Sequence, residues 1–336
     1  MDKKYEIHYK GKVLKTSHFS NISDEKCNEL RTLYYMKPDI KKVYANLAAI
    51  KAGGTIVSAI TNYYVKDLMA NTKLSSPKWS IAEVFECDDL IRYFYSRILA
   101  SDSVYPKTKS EITNIETALR LSGGGVAMKP SNFPMKTIDN ILTKYNLNDH
   151  YYDFSCGWGV RLLSALKNNI HYYGTDPNFV LVDRLNQIHT AYDLVNHTVT
   201  KVDIRPTGSE IFHSDWENKI GLAFSSPPYF DLEDYKIGNQ SINGRNYQTW
   251  LNEYFKPTIQ NIKSYVISGG HIMINIKNSN QYKLYEDVFK LCDEAKLTYI
   301  ETLTLNNIAR PSTKVDLNTD EQIMVFRNGV ASVQTG

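Results

Sequence analysis

Ser226-Pro227-Pro228-Tyr229 sets a hydroxyl and an aromatic ring on either side of two prolines. Neither proline donates a backbone hydrogen bond, and each fixes its own φ while biasing the residue before it towards extended backbone. The carbonyls of Ser226 and Pro227 are thereby presented in a fixed direction, free to accept. A hydroxyl beside a carbonyl suits the two hydrogens of an exocyclic amino group, and Tyr229 offers a face on which a planar base can stack. The same four residues also suit a proline-stiffened surface turn with a tyrosine cap. The tetrapeptide alone does not separate the two.

Two further clusters bear on the choice. Asp153-Phe154-Ser155-Cys156-Gly157-Trp158-Gly159 follows an apolar run and precedes helical spacing. Glycines alternating at such a turn let backbone pass close beneath a ligand, with the helix N-terminus pointing at it. Dinucleotide sites add a third glycine for the pyrophosphate, and that position is Leu162 here, which disfavours a diphosphate and leaves a nucleoside compatible. Asp176, in Gly174-Thr175-Asp176-Pro177-Asn178, stands where an acidic residue accepts hydrogen bonds from both ribose hydroxyls. Asp-Pro-Asn is also a good helix start, in which the carboxylate merely caps. The four cysteines, Cys27, Cys87, Cys156 and Cys292, are scattered with no C-x-x-C pair. Reduced thiols are expected, and no metal site.

These residues need a sheet to hold them. From residue 150 onwards, short apolar runs alternate with helical spacing, the signature of a mostly parallel, doubly wound α/β sheet. Strands are expected at 151–154, 171–175, 198–202, 222–225, 271–276, 297–305 and 323–326, and helices at 160–167, 179–190, 247–265 and 282–295. Residues 1–120 show helical spacing rather than strand alternation. Helices are expected from an Asp24 cap through Tyr35, from Asp39 through Ile50, and from Ser80 through Ala100. Gly123-Gly124-Gly125 reads as a joint, giving a mainly helical module at 1–121, a catalytic domain at 122–328 and a tail at 329–336.

The net charge of +3 is unevenly spread. Residues 1–120 hold 19 Lys+Arg against 14 Asp+Glu, and residues 121–336 hold 20 against 22. The basic excess makes the first module a candidate for nucleic-acid contact. No apolar stretch is long enough to span a bilayer, and no signal-peptide core follows Met1, so a cytoplasmic protein with no membrane partner is expected.

Together these residues resemble the S-adenosylmethionine-dependent DNA amino methyltransferases, of the N4-cytosine and N6-adenine type. Their defining motifs are an Asp-Pro-Phe-x-Gly-x-Gly turn and an (Asn/Asp/Ser)-Pro-Pro-(Tyr/Phe) loop. Asp153, Gly157 and Gly159 match the first, and Ser226 to Tyr229 match the second. Lys129-Pro130 ahead of residues 137–145 is similar to the family's Lys-Pro segment, and residues 247–251 and 269–276 are similar to its later helix and strand. The likeness spans roughly 126–328. It departs at Ser155, where the family has phenylalanine, and Trp158 and Arg161 are atypical.

The resemblance implies a Rossmann-like class I methyltransferase sheet and S-adenosylmethionine as cofactor. Lys129, Pro130, Asp153, Ser155, Gly157, Gly159, Asp176 and Glu210 are the implied cofactor-binding residues, with Glu210 near the adenine edge. Ser226, Pro227, Pro228 and Tyr229 are the implied catalytic loop, holding the amine of a base flipped out of double-stranded DNA. Lys236 and Arg245, in the loop that follows, stand beside the tetrapeptide as candidate nucleic-acid contacts, and the same loop also suits an ordinary polar lid. A serine at the first loop position tilts the target towards N4 of cytosine over N6 of adenine. RNA as substrate is the alternative within the same chemistry, and a catalytically silent DNA-binding scaffold the alternative outside it.

Overall fold

The structure, a computed structural model, describes residues 5–74, 79–99, 115, 117–118, 127, 130–230, 233–237, 239–279, 281–304 and 321–329. The chain opens with a hairpin where helical spacing was expected. Strand β1 (Tyr5–Tyr9) pairs antiparallel with β2 (Lys12–Thr16), matching Ile7 to Leu14, both buried. Lys10 and Gly11 take φ of 45° and 70°, the backbone that a two-residue hairpin turn demands. The pairing buries one apolar side chain per strand and leaves mostly polar neighbours outward, a period of two that five-residue strands show only weakly in sequence.

Helix α1 (Asp24–Tyr35) is capped by Ser23, whose side chain accepts from the Lys26 amide, so the cap lies one residue before Asp24. Asp39 caps α2 (Ile40–Lys51) as expected. After α3 (Ser58–Tyr64), α4 (Lys66–Asn71) and β3 (Lys73–Leu74), the stretch read as one helix from Ser80 forms two. These are α5 (Ile81–Glu86), opened by a Ser80/Glu83 capping box, and α6 (Asp88–Leu99). The extended backbone of Cys87 separates them.

The chain divides into two compact units, though not at residue 121. One takes Met1–Pro38, Lys66–Ser131 and Glu233–Lys236; the other takes Asp39–Val65, Asn132–Leu232 and Ile237–Gly336. The first has its own core around Leu30, Tyr34, Trp79, Phe85 and Phe94, with the Tyr34 and Phe85 rings stacked 4.1 Å apart. Helices α2 and α3 belong with the second unit, because the buried face of α2 (Val43, Leu47 and Ile50) packs on the long helix that follows Asp176. Hydrogen bonds from Lys51 to Asn169 and from Asn196 to the Leu47 carbonyl fasten that packing.

The second unit holds the expected sheet. In chain order, its elements are α7 (Met135–Tyr145), β4 (His150–Asp153), α8 (Val160–Lys167), β5 (His171–Thr175), α9 (Phe179–Asn196), β6 (Val202–Arg205) and β7 (Ile220–Ser225). A two-residue strand, β8 (Glu233–Asp234), pairs with β3 inside the first unit. Then come α10 (Tyr247–Trp250), α11 (Lys256–Tyr265), β9 (Val266–Ile276), α12 (Leu284–Glu294), β10 (Thr298–Thr304) and β11 (Gln322–Arg327). Across the sheet the order is β6-β5-β4-β7-β9-β11-β10, parallel throughout except for β11, which is antiparallel to both neighbours. This is the doubly wound, Rossmann-like arrangement that the sequence leads one to expect. All six residues of β7 are buried, as expected of a strand covered on both faces.

Several elements of this unit depart from the sequence reading, and β9 begins at Val266 rather than at residue 271. Helix α9 runs on to Asn196 rather than Thr190, so residues 197–201 become the return loop and β6 starts at Val202, leaving Val199 94% exposed. The helix expected over 247–265 contains a π turn at Leu251–Phe255, ending two residues before Pro257, which has no N–H to give the ladder. Among the described residues, no helix is long and apolar enough to cross a membrane.

Candidate active site

Parallel strands carry their carboxyl ends to one edge, and the order reverses between β4 and β7. A crevice at that reversal is where open α/β sheets bind ligands. The segments after β4, β5, β6 and β7 all leave from this edge, bringing together Ser155 to Gly159, Asp176, Glu210 and Ser226 to Tyr229. Because β11 runs the other way, its beginning, preceded by Glu321, reaches the same edge beside the end of β9.

The turn after β4 is built from left-handed glycines. Gly157 has φ 56° and Gly159 φ 86°, and Gly159 is the N-cap of α8. A Cβ on Gly159 would lie 2.9 Å from Leu185 Cδ2, so the glycine also lets α8 and α9 approach. Beneath the turn lies Asp153, fully buried, with one carboxylate oxygen 2.8 Å from both Arg161 Nε and the Tyr172 hydroxyl. The Arg161 Nη2 donates to the Ser155 carbonyl and, at 3.3 Å, to Ser225 Oγ. Ser225 in turn donates to the Ser155 carbonyl at 3.1 Å. Asp153 and Arg161 thus form a buried pair that clasps the ends of β4 and β7, and the neighbouring carboxylate raises the Arg161 pKa further against the pull of burial. Asp153 acts on the turn from below, and Ser155 lends its carbonyl to the clasp.

Asp176 is separated from its alternative role as a cap. Asn178 caps α9, its side chain accepting from the amides of Val180 and Leu181 at 3.1 and 3.2 Å. Among the described residues, Asp176 accepts the Asn178 amide alone, at 2.9 Å. Burial pushes its carboxyl up to about 7, opposed by that hydrogen bond and reinforced by the charge of Asp153. A buried carboxylate with lone pairs to spare suits a pair of hydroxyl donors.

Glu210 sits in the loop after β6. That loop is anchored by Ser209, whose hydroxyl meets Thr258 Oγ1 at 2.9 Å and whose carbonyl accepts from Asn261 Nδ2 at 2.9 Å. Glu210 Oε2 is buried and has no hydrogen-bond partner among the described residues. A buried, unmatched carboxylate oxygen costs free energy until a donor meets it, which suits a base amino group. The turn glycines, Asp176 and the Glu210 oxygen together fit S-adenosylmethionine, a nucleoside without phosphates. Lys129 lies outside the described residues, and Pro130 is a buried member of the first unit.

In the loop after β7, Pro227 is buried, while Ser226, Pro228 and Tyr229 are half-buried. The Tyr229 ring packs against the core beneath β7 and β9. Ser226 Oγ and the Tyr229 hydroxyl converge on one side chain that sequence reasoning did not single out. Asn275 Nδ2 lies 2.8 Å from Ser226 Oγ, 3.1 Å from the Tyr229 hydroxyl and 3.1 Å from Glu321 Oε2. Asn275 gave a weak signal, a polar residue inside the apolar run Ile272-Met273-Ile274-Asn275-Ile276. Glu321 gave none.

The two basic residues expected to contact nucleic acid are each engaged by a carboxylate. Lys236 pairs with Asp234 in the first unit. Arg245, in the second, lies 3.2 Å from Glu253 and donates to the Ser241 carbonyl at 2.6 Å. No group of three or more potential metal ligands occurs among the described residues.

No protein-family model matches the chain, and no curated protein matches it. Among solved structures it is similar to a TehB-like SAM-dependent methyltransferase from Corynebacterium glutamicum, at 12% identity and TM-score 0.41 over 59% of this chain and 90% of that one. It is also similar to the N-methyltransferase NodS from Bradyrhizobium japonicum in complex with S-adenosylhomocysteine, at 13% identity and TM-score 0.38 over 70% and 96%. The [4+2]-cyclase SpnF is similar at 11% identity and TM-score 0.40 over 59% and 82%. At these scores the likenesses carry no weight on chemistry, which follows from the residues at the sheet edge.

Proposed function

We propose that this chain methylates an exocyclic amino group of a DNA base, N4 of cytosine ahead of N6 of adenine, with S-adenosylmethionine as donor. The observation that carries the reading is the position of Ser226 to Tyr229. The loop leaves β7 at the switch point, beside the glycine turn of β4, with two of its polar groups converging on Asn275.

S-adenosylmethionine supplies a sulfonium-activated methyl group, and the chain supplies binding and orientation. The Gly157 and Gly159 turn gives close backbone approach, Asp176 accepts from the ribose hydroxyls, and Glu210 Oε2 accepts from the adenine amine. An exocyclic amine on a base is a poor nucleophile because its lone pair is conjugated into the ring. Ser226 Oγ and the Pro227 carbonyl accept its two hydrogens, favouring a pyramidal nitrogen with a localised lone pair. The Tyr229 ring packs against the base. Orientation of this kind contributes on the order of 7–11 kcal/mol of barrier lowering, which is why a loop stiffened by two prolines serves.

Incubation with isotopically labelled methyl donor and DNA or RNA, followed by nucleoside mass spectrometry, tests the reading. N4-methylcytosine in DNA is the expected product, and N6-methyladenine in DNA would keep the chemistry and move the base. A methylated guanine or adenine amine in RNA would move the substrate. No labelled base in either polymer, from protein that still binds S-adenosylhomocysteine, would remove nucleobases as the acceptor.

A further inference from the structure

Asn275 is 1% exposed, and its amide nitrogen carries two hydrogens against three oxygen neighbours. The amide nitrogen has no lone pair to offer, since that pair is conjugated with its carbonyl. Glu321 decides which way the amide faces. Turned over, Asn275 would set its carbonyl oxygen against a carboxylate oxygen at the present 3.1 Å, two acceptors with no hydrogen between them. Oδ1, on the far side, is buried with no partner among the described residues, so no hydrogen bond of its own fixes the orientation.

One hydrogen therefore goes to Glu321, and the other is shared by Ser226 Oγ and the Tyr229 hydroxyl. Each hydroxyl oxygen is held as an acceptor on its inner side. The Ser226 hydrogen is thus turned outwards, and its remaining lone pair faces away from the core. We propose that Asn275, oriented by Glu321, is the positioning residue of the catalytic loop: it fixes the directions in which the Ser226 hydroxyl donates and accepts towards the acceptor amine, and ties it to Tyr229. The inference rests on the amine-methylating reading of Ser226 to Tyr229 and extends it to two residues outside the motif. Tertiary pairing supplies both, through the antiparallel register that sets Gln322 against Ile276.

The test separates positioning from mere packing. Turnover and S-adenosylhomocysteine affinity are measured for the wild type, N275A, N275D and the double variant N275D/E321Q, with labelled methyl donor and the nucleic acid that the wild type methylates. N275D keeps the volume and removes the donor to Ser226. Adding E321Q removes the like-charge pair that N275D creates, without restoring that donor. The expected result is a kcat at least about tenfold lower in all three variants, the scale of one lost hydrogen bond, with KM for nucleic acid and S-adenosylhomocysteine affinity within about twofold of wild type. Wild-type kcat in N275D/E321Q would overturn the proposal, since volume and charge would then suffice without the donor. Cofactor affinity falling in parallel with kcat would also overturn it, by pointing to general damage at the sheet edge. Absence of methyl transfer by the wild type itself would instead remove the amine-methylating reading, and this inference with it.

Discussion

In the proposed reaction Ser226 serves the amine and Asp176 the ribose, and each carries its own prediction. Ser226→Ala removes one acceptor of the amine hydrogens while leaving the cofactor residues untouched. A kcat about a hundredfold lower with unchanged S-adenosylhomocysteine affinity is expected, the usual scale for one preorganised group at a reacting centre. Unchanged turnover would take Ser226 out of the chemistry. Asp176 is a carboxyl raised from 3.8 to about 7 by burial, so between those values the folded protein holds a proton that the unfolded chain has released. Stability therefore falls as pH rises from about 4 to about 7. Asp176→Asn removes that dependence, so the ligand-free variant should outlast the wild type in urea at pH 8 by up to about 4 kcal/mol and match it at pH 4. Ribose hydroxyls donate to the ionised form. Wild-type affinity for S-adenosylhomocysteine should thus rise through pH 7, while the variant binds weakly and without that slope, as calorimetry would show.

Among the elements, the ends of β4 and β7 depend on a buried ion pair rather than on the motif residues alone. Arg161→Met would leave the Asp153 carboxylate fully buried beside Tyr172 with no counter-charge among the described residues. A loss of about 3–5 kcal/mol in urea unfolding is expected, and Asp153→Asn combined with Arg161→Met should recover part of it. Equal losses in the single and double variants would show that the pair is not what holds the strand ends. Gly159→Ala tests the helix packing: a Cβ 2.9 Å from Leu185, on backbone at φ 86°, should cost roughly 1–3 kcal/mol and lower Tm. The register of β11 is also an element-scale device. By running against its neighbours it delivers Glu321 to the edge where every other contributing strand delivers its carboxyl end.

For the whole molecule, ligand binding and stability are linked. S-adenosylhomocysteine at about a hundred times its Kd should stabilise the fold by about 2.7 kcal/mol, read as a rise in Tm, and a null result would remove the cofactor reading. If a polynucleotide is the acceptor, its affinity should fall steeply with salt, with a log–log slope set by the phosphates contacted. Lys236 and Arg245, each held by a carboxylate, should contribute little to that slope when replaced singly.

The sequence by itself determined the alternation of strands and helices after residue 150, because the periods of burial, about two residues in strands and about 3.6 in helices, are local. It also determined the glycine turn, the Asp176 position and the loop from Ser226 to Tyr229, because glycine, proline and acidic residues at strand ends act through their own backbone and charge. The hairpin of β1 and β2 escaped it, since five-residue strands with one buried side chain each barely differ from polar helix. The placement of α2 and α3 on α9 depended on which apolar faces meet in space. Arg161 stood in the sequence as an atypical residue, and only the packed sheet made it the partner of Asp153, Ser155 and Ser225. Asn275 and Glu321, 46 residues apart, meet only through strand register. Tertiary structure alone decided which way the Ser226 hydroxyl turns its hydrogen, because that depends on the donors and acceptors that distant strands bring to 2.8–3.1 Å.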